Sequence, residues 1–334
     1  MLTQVFDYFS NGSKPENDQA IPDQDQTVPC LPKVTIGLAL GGGAAKGWSH
    51  IGVLHALKEA GIKPDIITGT SIGAVVGGCY AAGHLDKLEE FAKSLTRRRL
   101  LGLLDVNFSG KSLINGSRLI KLLERYLDNT SIEGLPIPFM AVATELATGH
   151  EIWLRRGHLV TAMQASYALP GIFNPVTVNG RYLVDGALVN PVPVSLARAM
   201  GARIVLAVNL SDASFGRGSI IPNVDDPHEV IQPCEEDDTV KAQSANLPSF
   251  KSIFFGNDTT PGISSVMFDA YTIIQDRITR SRLAGDPADI MISPRVDQIG
   301  MFEFHRAREA IEAGYLATQK VIEDFREISQ DMKA

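Results

Sequence analysis

The chain contains the same unit twice in succession: a short apolar strand, a glycine-rich turn and a helix. In the first copy, a buried strand at 34–40 runs into a glycine turn at 41–47 and an amphipathic helix at 49–60. In the second copy, a β-branched strand at 65–68 leads into a small-residue helix at 74–83. Strands that are apolar throughout and alternate with helices form parallel sheets covered on both faces. The pattern therefore predicts an α/β protein of three layers, α/β/α, with a mostly parallel central sheet.

Further apolar runs extend this sheet, and a helix ends the chain. Candidate strands lie at 138–144, 180–184, 204–209 and 289–293. A single final helix is expected from about Glu303, because small and apolar residues recur there at helical spacing. That face consists of Ala307, Ile311, Gly314, Thr318, Val321, Ile322, Phe325 and Ile328.

Two segments differ in composition from the rest of the chain. Residues 1–32 are polar and rich in proline, which predicts a disordered or loosely attached arm. The remainder, 33–334, is predicted to form one hydrolase domain with an acidic insert at about 211–262, where acidic residues outnumber basic ones by nine to three. The insert is expected to be either a disordered loop or a mobile cover. Its acidic run at 235–238 lacks the ligand spacing of a calcium loop and indicates a solvated surface.

Composition and charge exclude several classes of protein. The formal net charge of −7 argues against general nucleic-acid binding, which requires basic surface. The three cysteines are widely spaced and form no metal or redox motif, which indicates a reducing compartment. The chain shows no secretory signal and no run of about 18 apolar residues. We therefore expect a cytoplasmic protein, and leave open a peripheral contact at the inner membrane face.

Ser71 lies at the centre of the pentad Gly69-Thr70-Ser71-Ile72-Gly73, between the second strand and its helix. A serine at such a turn points its hydroxyl away from the sheet, and the following helix directs its free N–H groups to the same place. This context favours a nucleophile. The alternative is a small serine that merely packs beneath a tight turn.

The turn after the first strand has the sequence Gly41-Gly42-Gly43-Ala44-Ala45-Lys46-Gly47. Consecutive glycines allow backbone N–H groups to converge on one point, as a developing oxyanion requires. A phosphate would need similar geometry, but Lys46-Gly47 reverses the order of a Walker A loop. Lys46 also replaces the third glycine of a dinucleotide-binding turn. An oxyanion hole is therefore favoured over a nucleotide site or a simple tight turn.

Asp185 ends a candidate strand and begins the run Asp185-Gly186-Ala187. A carboxylate at a strand end beside Ser71 could take the serine proton directly. An ordinary turn aspartate is the alternative, since aspartate is common in turns. A carboxylate with its usual pKa of about 4 is a weak base for a serine hydroxyl. Catalysis would therefore need a raised pKa or a strongly preorganised oxyanion hole.

These three blocks, in this order, resemble the patatin-like phospholipase family. A softer fourth block at 165–176 fits the same family, and the resemblance covers about 34–209. It is greatest to bacterial members and to the catalytic domain of neuropathy-target-esterase-like proteins. The resemblance implies a patatin-like fold and hydrolysis of fatty-acyl esters of lipids without a metal or cofactor. It also implies a dyad of Ser71 and Asp185. The implied oxyanion hole is formed by Gly41, Gly42, Gly43 and Ala44, and the supporting motif residues are Lys46, Gly47, Gly69, Gly73 and Gly186.

Three alternatives remain open at this stage. Ser71, Asp185 and His305 follow the chain order of a hydrolase triad, although His305 reads better as a solvated or capping residue. His50 and His55 lie on the helix after the glycine turn and are interpreted as packing residues. The protein could instead be a catalytically silent regulator or scaffold that acts through the acidic insert, or a nucleotide binder. The lipid headgroup, the acyl chain, the positional selectivity and the oligomeric state are not predicted.

Overall fold

The computed structural model describes residues 34–99, 117–127, 129–211 and 262–332. The predicted arm at 1–32 lies outside these residues, as does the acidic insert except for its two end residues. The strands are β1 (Ile36–Leu40), β2 (Ile66–Thr70), β3 (Phe139–Glu145), β4 (Glu151–Leu154), β5 (Val176–Val178), β6 (Arg181–Asp185), β7 (Ile204–Val208) and β8 (Ile290–Ile292). The α-helices are α1 (Ser49–Glu59), α2 (Ile72–Ala81), α3 (Leu85–Ser94), α4 (Ser117–Leu127), α5 (Leu159–Tyr167), α6 (Val194–Ala199), α7 (Ile263–Gly285), α8 (Ala307–Gln319) and α9 (Ile322–Asp331).

One mixed sheet organises the described part of the chain, in the order β5-β6-β3-β2-β1-β7-β8. Five neighbouring strands of the sheet pair in parallel, in the order β3, β2, β1, β7 and β8. β6 pairs antiparallel with both β3 and β5. β4 adds a further antiparallel pairing to β3. The prediction of a mostly parallel sheet is therefore confirmed, and the antiparallel end is a feature that the sequence reading missed.

The central strands β1 and β7 are apolar throughout because both faces of the sheet are buried there. Along β1, Leu38 and Leu40 enter a large hydrophobic cluster, while Ala39 enters a second one on the opposite face. β7 alternates in the same way, with Leu206 in the first cluster and Val205 in the second. This two-residue alternation is the geometry of an extended strand. Helices thus cover both faces, as a three-layer α/β/α arrangement requires.

The helix α1 follows the glycine turn and packs closely against α8. A Cβ atom at Gly52 would lie 1.8 Å from the carbonyl oxygen of Ile311, and one at Gly314 would lie 1.9 Å from that of Ser49. Only glycine allows two helix backbones to approach this closely. The contact fixes the beginning of α1, and with it the end of the glycine turn, against the C-terminal part of the chain.

The prediction of one continuous helix from about Glu303 is wrong. The structure instead has a short 3₁₀ turn (Phe304–Arg306), then α8 and α9. The Thr318 hydroxyl donates to the carbonyl of Gly314, and the N–H of Val321 bonds the carbonyl of Thr318 rather than one residue further back. This tightening ends α8, a change that apolar spacing alone does not signal. Phe325 is still buried, as expected.

Candidate active site

Ser71 is the only residue between β2 and α2. The predicted strand and helix both stopped short of it, and the structure extends both to the serine. Its backbone has φ 57° and ψ −122°, a conformation that is strained for a residue with a side chain. The Ser71 N–H donates to the hydroxyl oxygen of Ser166 at 2.9 Å. The residue is buried, with 8% of its surface exposed.

The glycines of the pentad allow the turn to pack tightly. A Cβ at Gly73 would lie 2.1 Å from the carbonyl oxygen of Leu40, and one at Gly69 would lie 2.5 Å from that of Gly73. Neither position can accept a side chain without movement of the backbone. The pentad therefore holds Ser71 directly above the end of β1, where the glycine turn begins.

Asp185 occupies the last position of β6 and is buried. Its Oδ2 accepts a hydrogen bond from the Ser71 hydroxyl at 2.8 Å, and its Oδ1 accepts one from the N–H of Ala187 at 2.8 Å. The Thr144 hydroxyl donates to the Asp185 carbonyl oxygen at 2.8 Å. Gly186 packs against β3, since a Cβ there would lie 2.3 Å from the Val142 carbonyl oxygen. Each carboxylate oxygen thus has a defined partner, and one partner is the serine.

The strand β3 brings the serine and the aspartate together. Thr70, the end of β2, pairs with Val142 of β3, and Asp185 of β6 pairs with the next residue, Ala143. β4 occupies the opposite edge of β3 over these positions. β2 and β6 therefore follow one another along the same edge of β3, and Ser71 and Asp185 meet where one ends and the other begins.

Burial raises the pKa of Asp185 to about 7, although the hydrogen bonds from Ala187 and Ser71 act in the opposite direction. Desolvation disfavours the charged carboxylate, while donors favour it. A base whose pKa lies near neutrality is well suited to take a proton and return it. The raised pKa is one of the two conditions that the sequence analysis set for a direct serine–aspartate pair.

The glycine turn does not offer all four of the expected N–H donors. The N–H of Gly41 bonds the carbonyl of Val208 at 3.1 Å, and that of Gly42 bonds the carbonyl of Pro191 at 2.9 Å. The N–H groups of Gly43 and Ala44 have no acceptor among the residues that the structure describes. Gly43 has φ 157° and Ala44 has φ 49°, which turn the chain sharply at this point. Of the four expected donors, the N–H groups of Gly41 and Gly42 are therefore already engaged within the described residues, and those of Gly43 and Ala44 are not.

Gly42 has a different role, because it allows the turn to approach the serine. A Cβ at Gly42 would lie 3.2 Å from the Cβ of Ala187 and 3.5 Å from the Cβ of Ser71. Gly47 in turn allows the turn to approach α2, since a Cβ at Gly47 would lie 2.1 Å from the Cγ2 of Ile72. Lys46 lines the adjacent cavity, and burial lowers the pKa of its ammonium group while Asp297 raises it. The motif residues around the turn thus place it over the serine.

The histidines take no direct part in the serine–aspartate pair. His305 accepts a hydrogen bond from Arg97 at 3.2 Å, and no hydrogen bond within the described ranges joins it to Ser71 or Asp185. His50 is fully buried, and its Nε2 lies 2.8 Å from the carbonyl oxygen of Gly41. A carbonyl can only accept, so Nε2 carries the proton. Burial lowers the pKa of His50 to about 4, which keeps the ring neutral.

An apolar cavity of about 350 Å³ opens beside the pair. Ser71 and Asp185 lie in its wall together with Gly43 and Ala44. Most of the remaining lining is aliphatic or aromatic, and includes Val75, Leu88, Leu123, Leu169, Ile172, Phe173, Phe268 and Phe302. Pockets of this size and character bind small apolar ligands at a few polar groups. The polar lining includes Ser71 and Asp185, and also Lys46, Asp269 and Asp297.

Two site residues were missed as contributors by the sequence analysis. Ser166 lay within the softer fourth block but received no role, and Thr144 was treated only as the end of a strand. Their hydroxyls fix the Ser71 backbone and the Asp185 backbone, respectively. A signal for Ser166 exists, since a polar residue in an apolar helix needs a partner when buried. Within the described ranges, no three His, Cys, Asp or Glu residues cluster as a metal site would require.

Comparison with known proteins places the chain in a class. A family model described as patatin-like phospholipase matches residues 38–198, which include Ser71, Asp185 and the glycine turn. An NTE family protein of Mycobacterium tuberculosis is 34% identical over an alignment of 339 residues, gaps included. The alignment covers 90% of this chain and 94% of that protein. The chain therefore belongs to the patatin-like phospholipase family, and the resemblance seen in its motifs is confirmed. Membership of this family supports lipid hydrolase activity in general terms.

One further protein and one solved structure match this chain over part of their own length. Human patatin-like phospholipase domain-containing protein 6 is 37% identical over 183 residues, which cover 53% of this chain and 13% of that protein. The solved structure of VipD from Legionella pneumophila aligns with a TM-score of 0.44 and 13% sequence identity, over 88% of this chain and 67% of that one.

Proposed function

We propose that this protein is a serine acyl hydrolase that cleaves fatty-acyl esters of lipids with a dyad of Ser71 and Asp185. The observation that carries the proposal is the 2.8 Å hydrogen bond from the Ser71 hydroxyl to the Asp185 carboxylate in the wall of an apolar cavity. A buried aspartate with a raised pKa is the kind of base such a pair needs. Family membership adds the substrate class, a lipid ester.

In the acylation step, the Ser71 oxygen attacks the ester carbonyl carbon while its proton passes to Asp185. The tetrahedral oxyanion accepts hydrogen bonds from the N–H groups of Gly43 and Ala44. The carbonyl then re-forms, and the bond to the alcohol breaks. The leaving alkoxide takes the proton from Asp185, which leaves an acyl-serine and a free alcohol.

In the deacylation step, Asp185 removes a proton from a water molecule that attacks the acyl-serine carbonyl. The same N–H groups hold the second oxyanion. Collapse releases the fatty acid, and the proton on Asp185 returns to the Ser71 oxygen. The positive end of α2 points at the serine and further stabilises the negative charge in both steps.

The apolar cavity is the proposed acyl-binding site. Its wall contains Ser71 on one side and aromatic residues of α7 and of the chain before α8 on another. Apolar burial favours a hydrocarbon chain over a polar leaving group, because transfer of apolar surface from water contributes about 25 cal/mol per Å². The acyl chain would therefore occupy the cavity, and the alcohol part would face the opening.

The sequence of steps uses only groups of the chain, and we propose that the reaction needs no metal ion. Hydrolysis should therefore continue unchanged after dialysis against a chelator. A loss of turnover that is restored by adding one divalent metal would contradict this part of the proposal.

The deciding experiment is labelling of the full chain with a fluorophosphonate probe, together with turnover on a series of 4-nitrophenyl esters. We expect stoichiometric labelling that maps to Ser71 and turnover that is abolished in Ser71→Ala. The folded Ser71→Ala protein is the matched control. Absence of labelling in folded wild-type protein would instead favour a catalytically silent member of the family.

A further inference from the structure

The helix α7 exposes an unusual amount of apolar surface on one side. Val266 is 49% exposed, Met267 is 66%, Ile273 is 46% and Ile274 is 52%. Ala270 is exposed between them. We call these five residues the outer stripe. Single exposed apolar residues are common, but a contiguous set on one helix marks an interaction surface.

The spacing of the outer stripe follows the helical repeat. Its members stand at positions i, i+1, i+4, i+7 and i+8, which share one face of an α-helix. The opposite face carries Phe268, Tyr271, Thr272 and Gln275, which all line the cavity beside Ser71 and Asp185. α7 is therefore a wall with two faces: one bounds the candidate active site, and the other is apolar and open to solvent.

One cation of α7 continues the same face. Arg277 is exposed and follows Ile273 by one turn, in line with the stripe. Further along, Arg280 pairs with Asp276 and Arg282 pairs with Glu151. Arg277 forms no ion pair with any residue that the structure describes. Asp269 is an exposed acid at the edge of the stripe.

We propose that the outer stripe of α7 docks on the surface of a phospholipid bilayer, with Arg277 at the level of the lipid phosphates. The stripe from Val266 to Arg277 is about 16 Å long, at 1.5 Å per residue. Among the described residues, no helix is long and apolar enough to span a membrane. The stripe therefore lies in the interface, with apolar side chains among the acyl chains and a cation among the headgroups.

We choose a bilayer as the occupant because the proposed acyl-binding cavity lies on the other side of α7. The other face of α7 forms the wall of the cavity that holds the proposed acyl chain, so docking here brings the cavity to the lipid that it would bind. The inference rests on the proposed function for its choice of partner. A second copy of the chain is the competing occupant, and the test separates the two.

Docking is measured with full-length Ser71→Ala protein, so that hydrolysis does not alter the vesicles. We would follow cosedimentation with two kinds of vesicle, one of phosphatidylcholine alone and one of phosphatidylcholine containing phosphatidylglycerol. The paired substitution Ile273→Gln/Ile274→Gln should weaken binding at least tenfold, which corresponds to about 1.4 kcal/mol. Leu316→Gln is the matched control, because Leu316 is a similarly exposed apolar residue, 49% exposed, on a different helix, α8. It should bind as the parent does.

Two readouts keep docking and catalysis apart. In the Ser71 background, Ile273→Gln/Ile274→Gln should retain wild-type turnover on soluble 4-nitrophenyl butyrate, since neither isoleucine lines the cavity. If the wild-type protein itself did not hydrolyse 4-nitrophenyl butyrate, the proposed function would be overturned. The vesicle-binding measurement would still be valid. Arg277→Gln should lose only the additional affinity gained from phosphatidylglycerol.

Three results would overturn the docking proposal. The parent protein could fail to bind either vesicle composition. The paired isoleucine variant could bind as tightly as the Leu316→Gln control. Sedimentation without lipid could reveal a dimer that the paired variant dissociates, which would assign the stripe to a second copy of the chain.

Discussion

The hydroxyl oxygen of Ser166 accepts the backbone N–H of Ser71 at 2.9 Å, and both residues are buried. This bond lies beneath the strained turn, where Ser71 has a positive φ of 57°. A strained backbone persists only where its surroundings hold it in place. Ser166, from α5, is the residue that fixes the nucleophile's backbone from a distant part of the sequence.

Ser166→Ala should therefore lower both stability and turnover. The buried Ser71 N–H would lose its acceptor, which costs about 1–3 kcal/mol. We expect a lower midpoint in denaturant unfolding, and a fall in kcat that exceeds any change in KM. Thr161→Ala on the same helix, at a less buried position, is the control and should leave kcat unchanged. Equal effects of the two variants would show that Ser166 acts only through helix stability.

Asp185→Asn should reduce kcat by at least about 10²-fold, the lower limit for a general base. The amide preserves the shape of the side chain but cannot take the serine proton. His305→Ala is the matched comparison, because its only hydrogen bond among the described residues is to Arg97. It should retain nearly all activity. If the two variants changed places in this ranking, a serine–aspartate–histidine triad would replace the dyad.

The pKa of Asp185 predicts the pH dependence of turnover. Burial raises that pKa to about 7, and only the ionised carboxylate can accept the serine proton. The value of kcat/KM should therefore rise from pH 5 to pH 8 with an apparent pKa near 7. A profile that is already flat at pH 5 would show that the base titrates near its usual value of about 4.

The raised pKa of Asp185 should make stability fall with rising pH, whereas it makes kcat/KM rise. Unfolding returns Asp185 to its usual pKa of about 4, so between about pH 4 and pH 7 the folded state binds more protons than the unfolded one. Its contribution therefore falls as the pH rises through this range. Asp185→Asn should remove the effect and be more stable than wild type at pH 8, by up to about 4 kcal/mol. Urea unfolding at pH 4.5 and pH 8 measures the difference.

The sequence predicted the parallel part of the fold well because burial on both faces leaves a strong signal. β1 and β7 are apolar throughout, and β2 is buried along its whole length although it carries two threonines. A glycine turn follows β1, and Ser71 alone separates β2 from its helix. The antiparallel strands β4 and β5 were missed because each is short and carries polar or exposed residues. α7 was missed for a related reason: its apolar residues are divided between an inner face that lines the cavity and an outer stripe. Such a helix has no single apolar side for the periodicity to reveal.

The candidate site was predictable in its residue types but not in its hydrogen bonds. Ser71 and Asp185 lie in local patterns that indicate turns at strand ends, so the sequence could propose both. β3 brings them together through two pairings: Thr70 with Val142, about 70 residues apart in sequence, and Asp185 with Ala143, about 40 residues apart. Local patterns cannot reveal either pairing. The N–H groups of Gly41 and Gly42 bond carbonyls of Val208 and Pro191, which no local pattern reveals.

Gly43→Val should damage catalysis more than stability. A Cβ at Gly43 would lie 2.8 Å from the Cδ1 of Leu210, and the backbone there has φ 157°. The turn would shift, and the donors of Gly43 and Ala44 would lose their aim. Loss of one oxyanion donor typically lowers kcat by about 10²–10³-fold. Gly61→Ala is the control: it strains a positive φ in open space outside the cavity and should lower stability without a change in kcat. Unchanged turnover in folded Gly43→Val would place the oxyanion hole elsewhere.

His50 should support the glycine turn through its bond to the Gly41 carbonyl. His50→Ala leaves that buried carbonyl without a donor, at a cost of about 1–3 kcal/mol, and loosens the turn that carries the Gly43 and Ala44 donors. We expect a fall in kcat of at least about tenfold. His50→Gln can offer an amide N–H near the position of Nε2 and should recover part of this loss.

The histidine on the next turn of α1 provides the control for this last prediction. His55 bonds Glu89 at 2.7 Å and does not line the cavity, so His55→Gln should keep wild-type kcat. His50 should also make the stability of the protein depend on acid. Burial lowers the pKa of His50 to about 4, so unfolded chains take up a proton between about pH 6.5 and pH 4 that folded chains do not. The contribution of His50 to wild-type stability should therefore fall as the pH drops through this range, so wild type should lose stability relative to His50→Gln. If His50→Gln and wild type lost stability in parallel on acidification, His50 would be charged in the folded protein, and its role as a neutral donor to Gly41 would be wrong.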